Sequence, residues 1–93
     1  MSAKNGAFRA LADPTRRRIL ELLARRDLTA GEIAEEFPIA FASVSRHLSL
    51  LKEAGLVDAE REGQFIRYRL NTTVYQEVIR YLRKVLRKGG ADA

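Results

Sequence analysis

The chain of 93 residues has no cysteine and no tryptophan, two prolines, one methionine and one histidine. Without cysteine it forms no disulfide framework and no thiolate metal site. A single histidine cannot assemble the usual His or Cys metal cluster within one chain. Histidine catalysis would need a nucleophile or carboxylate partner that the sequence does not place beside it. Neither a metal nor another cofactor is expected, and no enzymatic activity. No apolar run of signal-peptide length opens the chain, and none approaches the roughly 20 residues that span a bilayer. A cytoplasmic location is therefore expected. Internal repeats and low-complexity linkers are also missing, and the length leaves no room for a second folded unit. Residues 1–93 are read as one domain, with loose ends at residues 1–4 and 89–93.

What is present is apolar and basic. Hydrophobic residues make up 46% of the chain, enough to build a core and to argue against wholesale disorder. Seventeen Lys and Arg against twelve Asp and Glu give a formal charge of +5, a balance that suits a polyanion but also occurs without one. The charge is sorted along the chain. Residues 1–20 hold five basic side chains against Asp13, residues 21–36 hold five acidic ones against Arg25 and Arg26, and residues 72–93 return to a net +3. An even coat of positive charge would point to non-specific binding; this distribution has to be ordered by the fold.

Apolar spacing gives a mainly α chain with a small β-hairpin, in the order α-α-α-α-β-β-α. A short helix is expected over residues 5–12, with Phe8 and Leu11 on one side. Asp13-Pro14 then resets the chain, because the residue before proline avoids the helical region and proline suits a first turn. Residues 16–24 carry the stripe Ile19, Leu22 and Leu23, with Leu20 on its shoulder. Thr29-Ala-Gly-Glu32 is a capping box opening a helix with Ile33, Ala34 and Phe37, which Pro38 stops. Val44, Leu48 and Leu51 share one face of the next helix, residues 41–54, with Gly55 as its C-cap. Residues 30–54 thus read as helix, tight turn, helix. Two extended runs follow, 56–61 and 64–70, meeting at Glu62-Gly63 as a hairpin in which Ile66, Tyr68 and Leu70 alternate with Arg67 and Arg69. The last helix, residues 73–87, has an apolar face broader than a single small core requires. The excess is assigned to a second copy of the chain. Phe8, Leu11, Val78, Leu82, Val85 and Leu86 are the candidate dimer residues, and 5–12 and 73–87 the dimerisation helices.

An α-helix fits the major groove of DNA. On the outer face of residues 41–54, Ala42, Arg46 and Ser49 form a stripe flanked by Ser43 and Ser45. Arg46 suits guanine through paired hydrogen bonds, the serines suit bases or phosphates, and Ala42 or Phe41 suits a thymine methyl. A plain solvated face would more often carry Glu, Lys and Gln than small residues. Phe41 has no clear place in the core period and either wedges against the preceding helix or lies on base edges. His47, beside a buried leucine, is either packed or in contact with a phosphate. Arg61, Gln64 and Arg67 are wing candidates for phosphates or the minor groove, against the alternative of ordinary strand surface. Within Arg16-Arg17-Arg18, positive charge near a helix start hints at an external partner for one arginine and an intramolecular one for at least one other.

These residues carry a recognisable pattern. Phe8-Arg-Ala-Leu-Ala-Asp-Pro-Thr-Arg-Arg-Arg-Ile-Leu20, Thr29-Ala-Gly-Glu-Ile-Ala34, Val44-Ser-Arg-His-Leu-Ser-Leu-Leu-Lys-Glu-Ala-Gly-Leu-Val57 and Gly63-Gln-Phe-Ile-Arg-Tyr-Arg-Leu-Asn71 occur in order. Together they resemble the ArsR family of bacterial winged helix-turn-helix repressors, over about residues 6–85. The resemblance implies a homodimer joined by its first and last helices, with recognition helices in successive major grooves of a palindromic operator and wings outside. It maps DNA contacts onto Ala42, Ser43, Ser45, Arg46 and His47, then Ser49 and Lys52, and wing contacts onto Arg61, Gly63, Gln64 and Arg67. The Gly63-Gln-Phe-Ile wing and Asn71-Thr-Thr-Val look nearest to an autorepressor subgroup in which a membrane protein sequesters the repressor. Where arsenic and cadmium sensors of the family carry cysteines, this chain reads Gly31-Glu-Ile-Ala-Glu-Glu36, and its last helix lacks the Asp and His pattern of the zinc site. Sensing through those sites is not expected. Ala40-Phe41 stands where the family often has Ser-Gln. Two other readings stay open: a winged-helix protein-interaction module, and an architectural DNA binder with little sequence preference.

Overall fold

The computed structural model describes residues 3–88, with side chains for residues 5–87. Apart from residues 3 and 4, the ends expected to be loose lie outside the described residues. Helices begin and end where the local chemistry directs. α1 (Ala3–Leu11) is followed by Asp13, which caps α2 (Pro14–Leu23): Pro14 takes the first turn and the Asp13 carboxylate accepts the Arg16 N–H at 3.0 Å. β1 (Leu28–Thr29) runs into α3 (Ala30–Ala34) through a complete capping box. The Glu32 N–H donates to Thr29 Oγ1 at 3.2 Å and the Thr29 N–H to Glu32 Oε1 at 2.8 Å. α3 stops at Ala34 rather than running to Phe37, and irregular chain carries residues 35–40 to α4 (Phe41–Glu53).

α4 ends in a Schellman motif. The Leu56 N–H donates to the Leu51 carbonyl and the Gly55 N–H to the Lys52 carbonyl, both at 3.0 Å, with Gly55 at φ +80°. The chain turns there into β2 (Val57–Glu62) and β3 (Phe65–Leu70), joined across Gly63-Gln64 with Glu62 opposite Phe65. Gly63, at φ +63°, takes the first central position of this two-residue turn, where a left-handed residue matches the twist of the strands. Asn71 closes the hairpin and opens α5 (Thr72–Lys88), its side chain accepting the Thr73 N–H at 3.0 Å and donating to Asp58 at 3.1 Å.

The sheet has three antiparallel strands in the order β1-β3-β2, one more than the expected hairpin. β1 pairs Leu28 with Tyr68 and Thr29 with Arg67. It makes β3 a central strand, so β3 lacks the expected alternation of buried and exposed residues: Ile66 to Leu70 are all half-buried. On one face Tyr68 and Leu70 pack against the core. On the other, Arg67 and Arg69 reach diagonally to Glu62 and Glu60, and Arg69 also lies 3.8 Å from Asp27.

The core is entirely apolar. Ile19, Ile33, Val44, Leu48, Leu51, Leu56 and Val57 are its largest fully buried side chains, drawn from α2, α3, α4, β2 and the turn before it. Val78 joins them from α5, with Val74 and Tyr75 packed at the edge. Val78 is only 6% exposed, so this expected dimer residue is corrected to a core residue of its own protomer. α1 lies against α5, where Phe8 meets Tyr81 edge to face at 5.7 Å between ring centres. Beyond Val78, α5 leaves the core, and the Cα radius of gyration is 15.0 Å against about 12 Å for a compact chain of this length.

Gly55 is where a side chain would be least tolerated. A Cβ there would stand 2.9 Å from Val74 Cγ2 in a left-handed conformation, whereas at Gly63 it would meet nothing within 4 Å. Gly55→Ala should therefore lower unfolding stability by about 2–3 kcal/mol and Gly63→Ala by only about 1 kcal/mol, read from urea denaturation midpoints. Equal losses would contradict this account of the α4–β2 junction.

Candidate nucleic-acid interface

α4 is a core helix and a surface helix at once. Val44, Leu48 and Leu51 are fully buried, which fixes the rotation of the helix about its axis. The residues on its outer side follow from that: Ala42, Ser43, Ser45, Arg46, Ser49 and Lys52 are all exposed. Among the described residues, none of these side chains has a hydrogen bond or ion pair. Arg46 stands on this face with its five donors uncommitted, between small residues that let another molecule approach the helix closely. Ala40 precedes α4 without supplying a side-chain cap, which leaves the first N–H groups of α4 without one. Phe41 is 55% exposed and Ile39 41% exposed, so the turn into α4 is apolar and open, and Phe41 is not wedged beneath α3.

The structure treats His47 differently from its neighbours. It is half-buried, turned toward the start of α2, with Nδ1 at 3.2 Å from Arg16 Nη1 and 4.0 Å from Asp13 Oδ2. All three arginines of the basic run have partners inside the chain. Arg16 donates to the Ala10 and Arg9 carbonyls at 2.9 and 3.2 Å, Arg17 to the Leu11 carbonyl at 2.8 Å, and Arg18 pairs with Glu21 at 3.4 Å. Arg16 and Arg17 thus satisfy carbonyls at the C-terminal end of α1, where positive charge is favoured.

The wing candidates divide. Arg61, Gly63 and Gln64 lie exposed at the hairpin tip, where Arg61 Nη1 donates to the Gly63 carbonyl at 3.3 Å. Arg67 does not join them. Its position opposite Thr29 and Glu60 places it in the three-stranded base, and its Nε donates to Glu62 Oε1 at 2.9 Å. The hydrogen bond and charge of Glu62 hold its guanidinium more firmly charged and neutralise it within the chain. Phe65, beside the turn and 57% exposed, was not singled out by sequence because it reads as one more strand residue.

The candidate dimer residues divide as well. Leu11 packs partly on the core and Phe8 gives one edge to Tyr81, while Leu82, Val85 and Leu86 stay exposed, Leu86 at 81%. Ile79 completes their stripe at helical spacing. This is an apolar face that one protomer leaves uncovered. Among the described residues no helix is long and apolar enough to cross a membrane, and no three His, Cys, Asp or Glu side chains stand close enough to hold a metal ion.

A helix-turn-helix formed by α3 and α4, followed by a β-hairpin, defines a winged helix-turn-helix protein. A profile for "bacterial regulatory protein, arsR family" matches residues 13–59. The chain is 50% identical over 88 residues to the transcriptional repressor SdpR of Bacillus subtilis, covering 95% of this chain and 98% of that one. A crystal structure of an ArsR family transcriptional regulator superposes with a TM-score of 0.90 at 29% identity, covering 96% of this chain and 92% of that chain. A homodimeric winged helix-turn-helix DNA-binding domain from Mycobacterium bovis, a fragment of a possible ArsR-family regulator, gives 0.73 at 29% identity, covering 94% and 81%. The chain belongs to the arsR family of bacterial regulatory proteins, a family of transcriptional regulators and not of enzymes.

Asp13 links this surface to pH. The hydrogen bond from the Arg16 N–H, assisted by the nearby Arg16 and His47 side chains and opposed by partial desolvation, holds its carboxyl below the ordinary carboxylate range. A depressed folded-state pKa contributes stability above the unfolded value, near pH 4, and loses it as pH falls through the folded one. Asp13→Ala should cost about 1 kcal/mol at neutral pH. Below pH 4 the gap to the unsubstituted chain should narrow in thermal melts; a gap constant down to pH 2 would contradict the cap.

Proposed function

We propose that this chain is a sequence-specific double-stranded DNA-binding repressor of transcription that acts as a homodimer on a palindromic operator, its own promoter included. The observation that carries the reading is the outer face of α4: Ala42, Arg46 and Ser49, exposed and without partners among the described residues, on a helix whose inner face is locked into the core. Such a face can enter a major groove without paying for rearrangement, and Arg46 can meet a guanine edge through two hydrogen bonds. Ser43, Ser45 and Lys52 flank the stripe as base or phosphate contacts. The wing adds Arg61, Gly63 and Gln64 at the flanking backbone or minor groove. The exposed stripe Ile79, Leu82, Val85 and Leu86, with Phe8, is the surface for the second copy, and the likeness to a homodimeric domain and to a named repressor supports the same reading. Occupied promoter DNA excludes polymerase without any ligand chemistry. Release then follows from falling concentration, or from a membrane protein that takes up the repressor, as the resemblance to the autorepressor subgroup implies.

Selecting bound sequences from a random DNA pool, then titrating the winner and a scrambled duplex by anisotropy at two salt concentrations, tests this directly. A palindrome bound about 10³-fold or more above scrambled DNA is expected. Equal, salt-steep binding to every sequence would favour an architectural binder, and no binding a protein-interaction module. Arg46→Ala should lose about 10- to 100-fold on the selected site and relax one base position per half-site. Arg61→Ala should weaken all sequences alike and lower the salt slope by about 1 per protomer. Arg67→Ala, its head already held by Glu62, should leave the slope unchanged.

A further inference from the structure

The Arg16–His47 contact joins two parts of the fold that the sequence keeps 31 positions apart. Arg16 is anchored at its far side: Nε and Nη2 donate to the last carbonyls of α1, at 2.9 and 3.2 Å, and Asp13 accepts its backbone N–H. Its remaining branch, Nη1, meets His47 Nδ1 at 3.2 Å. A guanidinium has donors only, so Nδ1 must be the acceptor, and the proton of the neutral ring resides on Nε2. Among the described residues no hydrogen bond engages Nε2 and no buried side-chain nitrogen lacks a partner, so Nε2 reaches solvent. His47 lies one turn after Ser43 and next to Arg46, on the edge of the exposed face of α4. The geometry therefore aims a single N–H donor outward from the border of the recognition surface.

We propose that Arg16 is a positioning residue for DNA binding, fixing His47 as an Nε2–H donor to a backbone phosphate at the rim of the major groove. The proposal rests on the DNA-binding reading above and adds to it a specific contact and the residue that sets it. It also gives α1 a role in the DNA contact. The carbonyls that hold Arg16 belong to the helix packed on α5, so α1 reaches the recognition helix through Arg16 as well as through its direct packing of Gly6 beside Ala54. Asp13 and Arg16 are the charged groups beside the ring, at 4.0 and 3.2 Å from Nδ1. Asp13 is occupied in capping α2, which leaves Arg16 as the nearer partner.

The test uses the full chain and the duplex selected from the random pool, with single neutral methylphosphonates placed in turn along each strand. In the unsubstituted protein one phosphate per half-site should be reported whose neutralisation weakens binding about fivefold. His47→Asn keeps an acceptor at the Nδ1 position and removes the outer donor. It should bind about fivefold more weakly and be indifferent to that one phosphonate, while its melting temperature stays within a degree or two of the parent's. His47→Gln, which returns a donor near the Nε2 position, should recover part of the response. Arg16→Ala should abolish the same response with His47 still present, and Arg16→Ala/His47→Asn should lose no more affinity than the larger of the two single losses. Should Arg16→Ala fail to fold, the His47→Asn and His47→Gln pair decides. Full response to that phosphate in His47→Asn, or losses that simply add in the double variant, would overturn the proposal while leaving DNA binding intact. Failure of the unsubstituted chain to prefer any duplex would overturn both.

Discussion

Everything that this fold offers at its surface depends on the seating of α4 by Val44, Leu48 and Leu51. These three side chains are fully buried, and truncating any one to alanine would cost on the order of 2–5 kcal/mol, a large share of the stability available to a domain of this size. The helix cannot roll without exposing them. Its outer residues are consequently displayed in one fixed orientation, and the Schellman turn at Gly55 sets where the wing begins relative to them. A recognition surface built this way needs no backbone ordering on binding and has only its long side chains, Arg46 and Lys52, to immobilise.

α5 divides its apolar residues between two duties. Val74, Tyr75 and Val78 complete the protomer core, and Ile79, Leu82, Val85 and Leu86 extend past it into solvent. Isolated exposed apolar residues are ordinary, but a run at helical spacing on a projecting helix is a surface awaiting a partner. A second copy is the occupant most consistent with the family, because α1 and α5 already pack together at Phe8 and Tyr81 and would present one continuous face. The charged sheet face does the opposite. Its arginines are neutralised by Glu60, Glu62 and Asp27, so positive charge is withdrawn from the base of the wing and left at its tip.

What could be read from the sequence was whatever rests on local chemistry. The Thr29–Glu32 capping box, the Asp13-Pro14 start, the Gly55 stop and the Gly63 turn each depend on residues within a few positions of one another. Each stands within a residue or two of where it was expected, the turn falling on Gly63-Gln64 rather than Glu62-Gly63. β1 was missed because two residues show no period, and Thr29 was already explained as a cap. That omission carried over to β3, whose arginines looked like one solvated face until a third strand enclosed them. Arg67 then read as a wing residue, because its partner Glu62 depends on hairpin register rather than on spacing. The breadth of the α5 stripe was legible, but not which edge the core takes, so Val78 was placed on the wrong side. His47 was left between packing and phosphate contact because Arg16 is brought to it by the tertiary fold alone.

The central claim is that the uncovered face of α5 belongs to a second copy, so that two recognition helices are presented together. Sedimentation equilibrium of the full chain without DNA tests it most directly. The account predicts, at micromolar concentration, a particle of twice the 10.5 kDa chain mass. A folded particle of one chain mass under those conditions would contradict it, and with it the two-helix reading of a palindrome.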